Sequence, residues 1–324
     1  MTRVFITIDT EYEPGFTARH GKDTQTSNFA QSIACTTPGG DVGVAWQASQ
    51  FARHGLKSVF FVDPMPALLW GTEAICKVVT PILEHGHDVQ LHIHTEWLAL
   101  AGNANPLGGR TGANIKDFAF EDQHALIDYA IKELEASGAP RPVAFRAGNY
   151  GANDDTLRAL ANLGLTHDTS HSPGLPGSAC EISLGAQNRQ PLTHCGVTEV
   201  PIGCIGDIGG KLRHAQITAL SLRELTAAIR HARDSGAESF TIVSHSFELL
   251  SRDRARINTV VRNRFERLCE FLASEPGVST GTYAGAAPAP VDTPDLLPVL
   301  KANVLRTGLR HAEQAVSNLR FGGN

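Results

Sequence analysis

The residues best equipped for chemistry stand in the run Gln90-Leu91-His92-Ile93-His94-Thr95-Glu96. The short apolar segment before it marks a strand end. Side chains two apart on a strand share a face. His92 and His94 therefore aim into one space, and Glu96 joins them if the chain turns there. Two imidazoles and a carboxylate converging on one point make a divalent-metal site. An isolated His-x-His pair fits two histidines satisfied at a strand end equally well, so the rest of the chain has to decide.

The elements that must position these residues are legible as alternating patterns. Short β-branched runs fall at 4–8, 58–62, 88–93, 143–145, 165–168, 198–202 and 240–244, with a weak one near 278–282. Amphipathic stretches at 42–54, 66–84, 121–137, 153–163, 221–234 and 255–274 read as helices between them. Alternating β and α units predict a parallel sheet with covering helices. The number of units predicts a (β/α) barrel of seven or eight units that need not close, with an open doubly wound sheet as the alternative. No Gly-x-Gly-x-x-Gly opens a helix to support a dinucleotide site. Three long segments, 12–40, 96–119 and 171–196, read as irregular loops beside the strand ends, where long loops are usually functional.

The polar residues gather at the C-terminal ends of different predicted strands. Asp9, Thr10 and Glu11 follow the first, Asp63 the second, His92, His94 and Glu96 the third. Arg146 follows the fourth, Asp168 the fifth, and Ser244-His245 the last long one. Barrel active sites lie on that face. One charged strand end is ordinarily a cap or a surface ion pair. Several together, bearing carboxylate, imidazole and guanidinium, point to a site. Asp63 precedes a proline and reads as a turn residue.

Composition bounds the function. The chain has 324 residues, 42% of them hydrophobic, and a formal charge of −5. That balance offers no general electrostatic case for nucleic acid. Fourteen histidines against two methionines hint at metal or acid–base work. The six cysteines contain no Cys-x-x-Cys pair, which fits reduced thiols in a cytoplasmic protein. The first apolar run is too short for a signal peptide. No stretch approaches the roughly 20 apolar residues of a membrane span. The expected organisation is a catalytic barrel over 1–283, a Pro/Ala-rich linker over 284–298 and a basic amphipathic helix over 299–324. That helix carries Lys301, Arg306, Arg310 and Arg320 against Glu313. It would dock on the barrel, on a second subunit, or on the inner face of an anionic membrane.

In order and spacing the strand-end motifs resemble those of the polysaccharide deacetylases of carbohydrate esterase family four, the NodB-homology domain. The resemblance spans roughly 3–283. The motifs are Thr7-Ile8-Asp9-Thr10-Glu11, His92-Ile93-His94-Thr95-Glu96, Arg146-Ala147-Gly148-Asn149-Tyr150-Gly151, a weak His167-Asp168-Thr169-Ser170, and Ile242-Val243-Ser244-His245. Two departures stand out. The family's metal-binding Asp falls at Thr10, and its second His falls at Glu96. Asp9 and Glu11 share a strand face, so Glu11 can replace the missing carboxylate, while His94 or Glu96 can replace the missing His.

The resemblance implies a hydrolase that removes an N-acetyl group from an amino sugar of a glycan or glycolipid precursor. It implies one divalent metal, zinc foremost, with cobalt, nickel or manganese as alternatives, on Glu11, His92, His94 and Glu96. Asp9 would be the base and Arg146 its orienter. His245 would be the acid, with Asp168 orienting His245 or Arg146. Tyr150 would help bind the acetyl oxygen through its backbone, and Trp97 would stack on a sugar ring. Two other readings stand beside it. One is a cyclic-amide hydrolase or glycosidase on the same barrel, and the other is a glycan-binding module whose catalytic site has decayed. A zinc peptidase and a Ser-His-Asp hydrolase are disfavoured, because neither His-Glu-x-x-His nor Gly-x-Ser-x-Gly occurs.

Overall fold

Alternation along the strands decides which residues enter the barrel. The structure, a computed structural model, describes residues 2–292 and 297–322. Seven parallel strands form the body of the sheet: β1 (Thr2–Thr10), β2 (Val59–Val62), β3 (Asp88–Ile93), β4 (Ala144–Ala147), β5 (His167–Asp168), β6 (Val197–Glu199) and β7 (Ser239–His245), and the short strand Leu192–His194 pairs antiparallel with β6 at its edge. Their order is β7-β1-β2-β3-β4-β5-β6. A short strand, β8 (Val278–Thr280), pairs with the start of β1. The chain after β6 returns to β7, where Gly203 N–H donates to Thr241 O at 2.9 Å and Ile217 N–H to Val243 O at 3.1 Å. Isolated bridges, not a full ladder, thus link the two sides of a curled sheet that forms an incomplete barrel.

The helices are α1 (Val44–Arg53), α2 (Glu73–Glu84), α3 (Phe120–Ala136), α4 (Asp154–Asn162), α5 (Leu222–Asp234), α6 (Thr259–Ser274) and α7 (Val304–Phe321). Val4, Ile6 and Ile8 of β1 face this helical layer within the main core. Phe5, on the other face, joins Val59, Phe61, Ala144, Val200 and Tyr283 in a separate inner cluster. This apolar plug fills the barrel below the site. The inward positions above it are Asp9, His92, Arg146 and His245. Register aligns them, with Asp9 opposite His245 and Phe61, and His92 opposite Arg146.

The sequence-derived elements need three corrections. The predicted helix over 66–84 is two, Ala67–Trp70 and α2, divided at Gly71, whose φ of 73° lies in the left-handed region. The segments read as irregular loops at 12–40 and 96–119 contain short helical turns, including Pro14–His20, Phe29–Ile33 and Trp97–Ala101. Elements this short display no full apolar period. The 284–298 stretch does not hang free where it is described. Tyr283 and Ala284 N–H donate to Asp88 Oδ2, and Val291 N–H donates to Pro191 O. Part of that predicted linker, 293–296, and the last two residues of the predicted tail lie outside the described residues. The tail helix begins at Val304, capped by the Asn303 side chain, after an extended lead-in.

Candidate metal centre and active site

Two strand ends assemble the metal-binding trio. Glu11 lies just beyond β1, and its Oε2 is 2.9 Å from His92 Nε2 and 2.7 Å from His94 Nε2. The ligand atoms of Glu11, His92 and His94 lie within 4.8 Å of one another. Each ring is fixed from behind. His92 Nδ1 lies 2.7 Å from Arg146 O, and His94 Nδ1 lies 3.1 Å from Glu96 Oε2. Metal-binding histidines are ordinarily braced through the second nitrogen in this way. Burial opposes charge here, yet the imidazoles hold the Glu11 carboxyl well below its usual range. Glu11 and Glu96 in turn hold His94 well above its own, against its burial. The one O and two N donor atoms of the trio converge where a cation would sit. The donor chemistry fits a borderline-soft divalent ion such as zinc.

Glu96 stands outside the trio, contrary to the expectation that it ligates. Its Oε2 meets the rear nitrogen of His94 and its Oε1 accepts from Asn149 Nδ2 at 3.1 Å. The Thr10 hydroxyl donates to Ile8 O at 3.1 Å.

Opposite the trio, Arg146 is fully buried. Its Nη1 donates to Asp9 Oδ1 at 2.5 Å, its Nε to Thr169 O at 3.2 Å, and its guanidinium lies 4.4 Å over the Phe61 ring. Removing either partner would strand a buried charge. The second Asp9 oxygen, Oδ2, faces His245 Nε2 at 3.8 Å.

His245 Nδ1 lies 2.9 Å from Glu248 Oε1. Burial disfavours the charged ring, but the Glu248 bond and charge outweigh it, and the His245 pKa rises to about 9. Glu248 is itself held by Gln216 Nε2 and by the Ser244 hydroxyl at 3.1 Å. Neither Glu248 nor Gln216 was expected from the sequence. The available signal was Glu248's place three residues past His245, where a tight turn returns it to the ring.

Asp168 orients neither His245 nor Arg146 by direct contact among the described residues. It accepts from Ser170 N–H at 2.8 Å and from the Ser170 hydroxyl at 2.9 Å. That hydroxyl accepts the Ala147 N–H at 2.9 Å, so Asp168 braces β4 just past Arg146. Burial raises its pKa, and burial together with the Asp168 charge raises that of its neighbour Glu199.

Trp97 cannot stack on a sugar. It is fully buried, its indole N–H donates to Asp63 Oδ2 at 3.0 Å, and its ring packs 5.3 Å from Trp70. Asp63 accepts Met65 N–H at 3.0 Å, as a turn residue does.

Tyr150 lines a cavity of about 320 Å³ with Asp9, Glu11, His92, His94, Asn149, Leu175, Ser178, Gln216 and His245. Asn149 and Tyr150 have φ of 56° and 57°. Two consecutive non-glycine residues in the left-handed region store strain of the kind found at functional sites. Gly148 must stay bare, since a Cβ there would meet Ile93 O at 2.7 Å and His94 Nδ1 at 2.8 Å.

A second mixed cluster, Asp154, His194 and Cys195, lies outside the barrel. Asp154 Oδ1 meets His194 Nε2 at 3.0 Å and Oδ2 accepts the Ser183 hydroxyl at 2.6 Å. These bonds clamp the 192–199 hairpin to α4 and account for the carboxylate oxygens.

No family model matches the sequence, and no curated protein does. Solved structures do. A protein described as a polysaccharide deacetylase, from Mycobacterium smegmatis, aligns with a TM-score of 0.54 at 13% identity, over 97% of this chain and 91% of its own. A 4-alpha-glucanotransferase from Thermococcus litoralis aligns with a TM-score of 0.51 at 11% identity, over 88% of this chain and 40% of the longer enzyme. At these identities the likeness concerns architecture. The chain has the curled (β/α)-barrel fold that the mycobacterial polysaccharide deacetylase also has.

Proposed function

We propose that this chain is a metal-dependent hydrolase that removes an N-acetyl group from an amino sugar. One observation carries the reading. A single cavity holds a Glu-His-His trio, a carboxylate locked to a buried arginine, and a histidine locked to a second glutamate. A binding module needs a shaped wall. It does not need a base, an orienter for the base and a charged acid.

Glu11, His92 and His94 would hold the metal, with Glu96 setting the ring of His94. Zinc or another divalent ion there supplies Lewis acidity toward the amide carbonyl and toward water. Asp9, aimed by Arg146, takes the proton of the attacking water. His245, kept charged by Glu248, gives a proton to the departing nitrogen, so water and amide become acetate and amine. Tyr150, on its strained turn, shapes the wall where the acetyl group sits. A glycoside-cleaving reading needs two carboxyl groups free to flank one bond. Here Asp9 faces Arg146 and Glu11 faces two imidazoles.

Metal content tests the proposal first. Purified protein is expected to carry about one divalent ion per chain. The His92→Ala/His94→Ala double variant is expected to carry none. Asp9→Asn should keep the metal and lose two to four decades of acetate release, roughly the range of acid–base catalysis. A wild type that takes no metal on reconstitution would leave the decayed glycan-binding module as the better reading.

A further inference from the structure

The C-terminal helix α7 docks by its polar side. Arg310 is 1% exposed, with Nε on Glu224 Oε1 at 3.2 Å and Nη2 on Asp207 Oδ1 at 3.0 Å. Glu313 pairs with Arg264 at 2.9 Å, and Ser317 accepts from Asn258 Nδ2 at 2.9 Å. The apolar side points outward. Leu305, Leu309, Ala312, Val316 and Leu319 repeat at spacings of four and three and are all exposed, Leu305 at 78% and Leu319 at 89%. Val304 extends the patch at its start. An amphipathic helix normally buries such a stripe against its own core. Here the core side is already filled by ion pairs.

We propose that this stripe binds an anionic lipid surface. The charges favour that occupant. Residues 299–322 carry four Lys or Arg against one Glu, in a chain of net charge −5. Arg310 and Glu313 are consumed by the docking contacts, which leaves Arg306 and Arg320 on the helix beside the stripe and the exposed Lys301 in the extended lead-in before it. An apolar face flanked by basic residues is the pattern of helices that lie in a membrane interface. A second copy is the competing occupant, because four-three spacing is also that of a coiled-coil seam. The positions beside the seam argue against it. They are Arg306, Glu313 and Arg320 on one side and Gly308 and Ala315 on the other. With Glu313 held by Arg264, an antiparallel pair would set Arg306 against Arg320, and a parallel pair would set these arginines against Gly308 and Ala315, so neither arrangement gives them an acid to meet.

The turn bearing Val316 and Leu319 also lends Ser317, Asn318 and Phe321 to a cleft of about 480 Å³ that contains Glu248. A lipid surface on the stripe would lie across the thickness of α7, roughly 10 Å, from that cleft. If the hydrolase reading is correct, this favours a substrate carried at that surface. Lipid binding itself does not depend on that reading.

The test is co-sedimentation of the full chain with phosphatidylcholine vesicles, with and without phosphatidylglycerol. The wild type should sediment with the anionic vesicles and be released by salt. Leu305→Gln/Leu309→Gln/Leu319→Gln, at exposed positions, should stay in the supernatant with unchanged circular dichroism and metal content. Arg306→Gln/Arg320→Gln should bind on the order of tenfold more weakly or worse. A wild type that ignores anionic vesicles overturns the proposal. So does equal binding by the leucine variant. A wild-type dimer that the leucine variant breaks, without vesicle binding, would assign the stripe to a second copy.

Discussion

The Glu248→Gln variant bears directly on how the proposed acid is kept charged. Glu248 is isosteric with Gln, so the His245 Nδ1 contact can survive while the negative charge is lost. In the present structure that charge lifts His245 to about 9 against the effect of burial. Without it the ring should fall back toward ~6.5, the ordinary histidine value, because burial is then opposed only by the smaller effects of Asp9 and Glu11. At pH 8 the wild-type ring would be ~90% protonated and the variant ring ~3%, roughly a 30-fold difference in competent acid. At pH 6 both would be mostly protonated, and the difference should nearly vanish. The direct assay is a proton NMR titration of the His245 imidazole in metal-free protein, which needs no substrate. Once a substrate is found, acetate release should repeat the pattern, with the alkaline fall of activity moved to lower pH in the variant. The linkage to stability has the same sign. A folded-state value above the unfolded one stabilises the fold fully below about 6.5, and that contribution disappears as pH rises through about 9. An unmoved His245 titration in Glu248→Gln would refute the assignment of Glu248.

Three further substitutions test the site. Glu96→Ala should weaken metal affinity by about 10- to 100-fold without abolishing it, because Glu96 braces His94 from behind; complete loss in a metal titration would make it a ligand after all. Gly148→Ala should also weaken metal binding, since its Cβ would press on Ile93 O and His94 Nδ1, and unchanged affinity would show that the turn yields. Trp97→Phe should cost about 1–3 kcal/mol in denaturant unfolding by stranding the buried Asp63 carboxyl, while the Michaelis constant for sugar stays put; a raised Michaelis constant with unchanged stability would restore the stacking role.

Much of the architecture was readable because barrel strands and covering helices carry local periods. The predicted strands and the longer helices fall within a few residues of those observed, and the polar strand ends were visible in sequence order. Strand alternation also predicted the shared face of His92 and His94, and of Asp9 and Glu11. The misreadings have a common origin. Glu96 beside His94 and Trp97 one residue on look like ligand and sugar platform when only spacing is known. The turn after β3 sends Glu96 to the rear of the His94 ring and buries Trp97 against Trp70 and Asp63.

The sequence by itself determined the parallel α/β repeat, the face on which chemistry collects, and the residue types present there. Those depend on periods of two and 3.6 and on strand ends, which are local properties of the chain. Tertiary structure alone decided the partners. Asp9 meets an arginine 137 positions away. Asp168 acts through Ser170 on β4, not on His245. Glu248 closes a turn onto His245, and α7 places ion pairs inward and leucines outward. Each outcome depends on how strands align around the curled sheet and on what charge or surface the opposing element offers. No short window of sequence contains both sides of the Asp9–Arg146 or the Arg310 contacts, and at the short-range ones spacing alone does not say which way the turn sends the side chain.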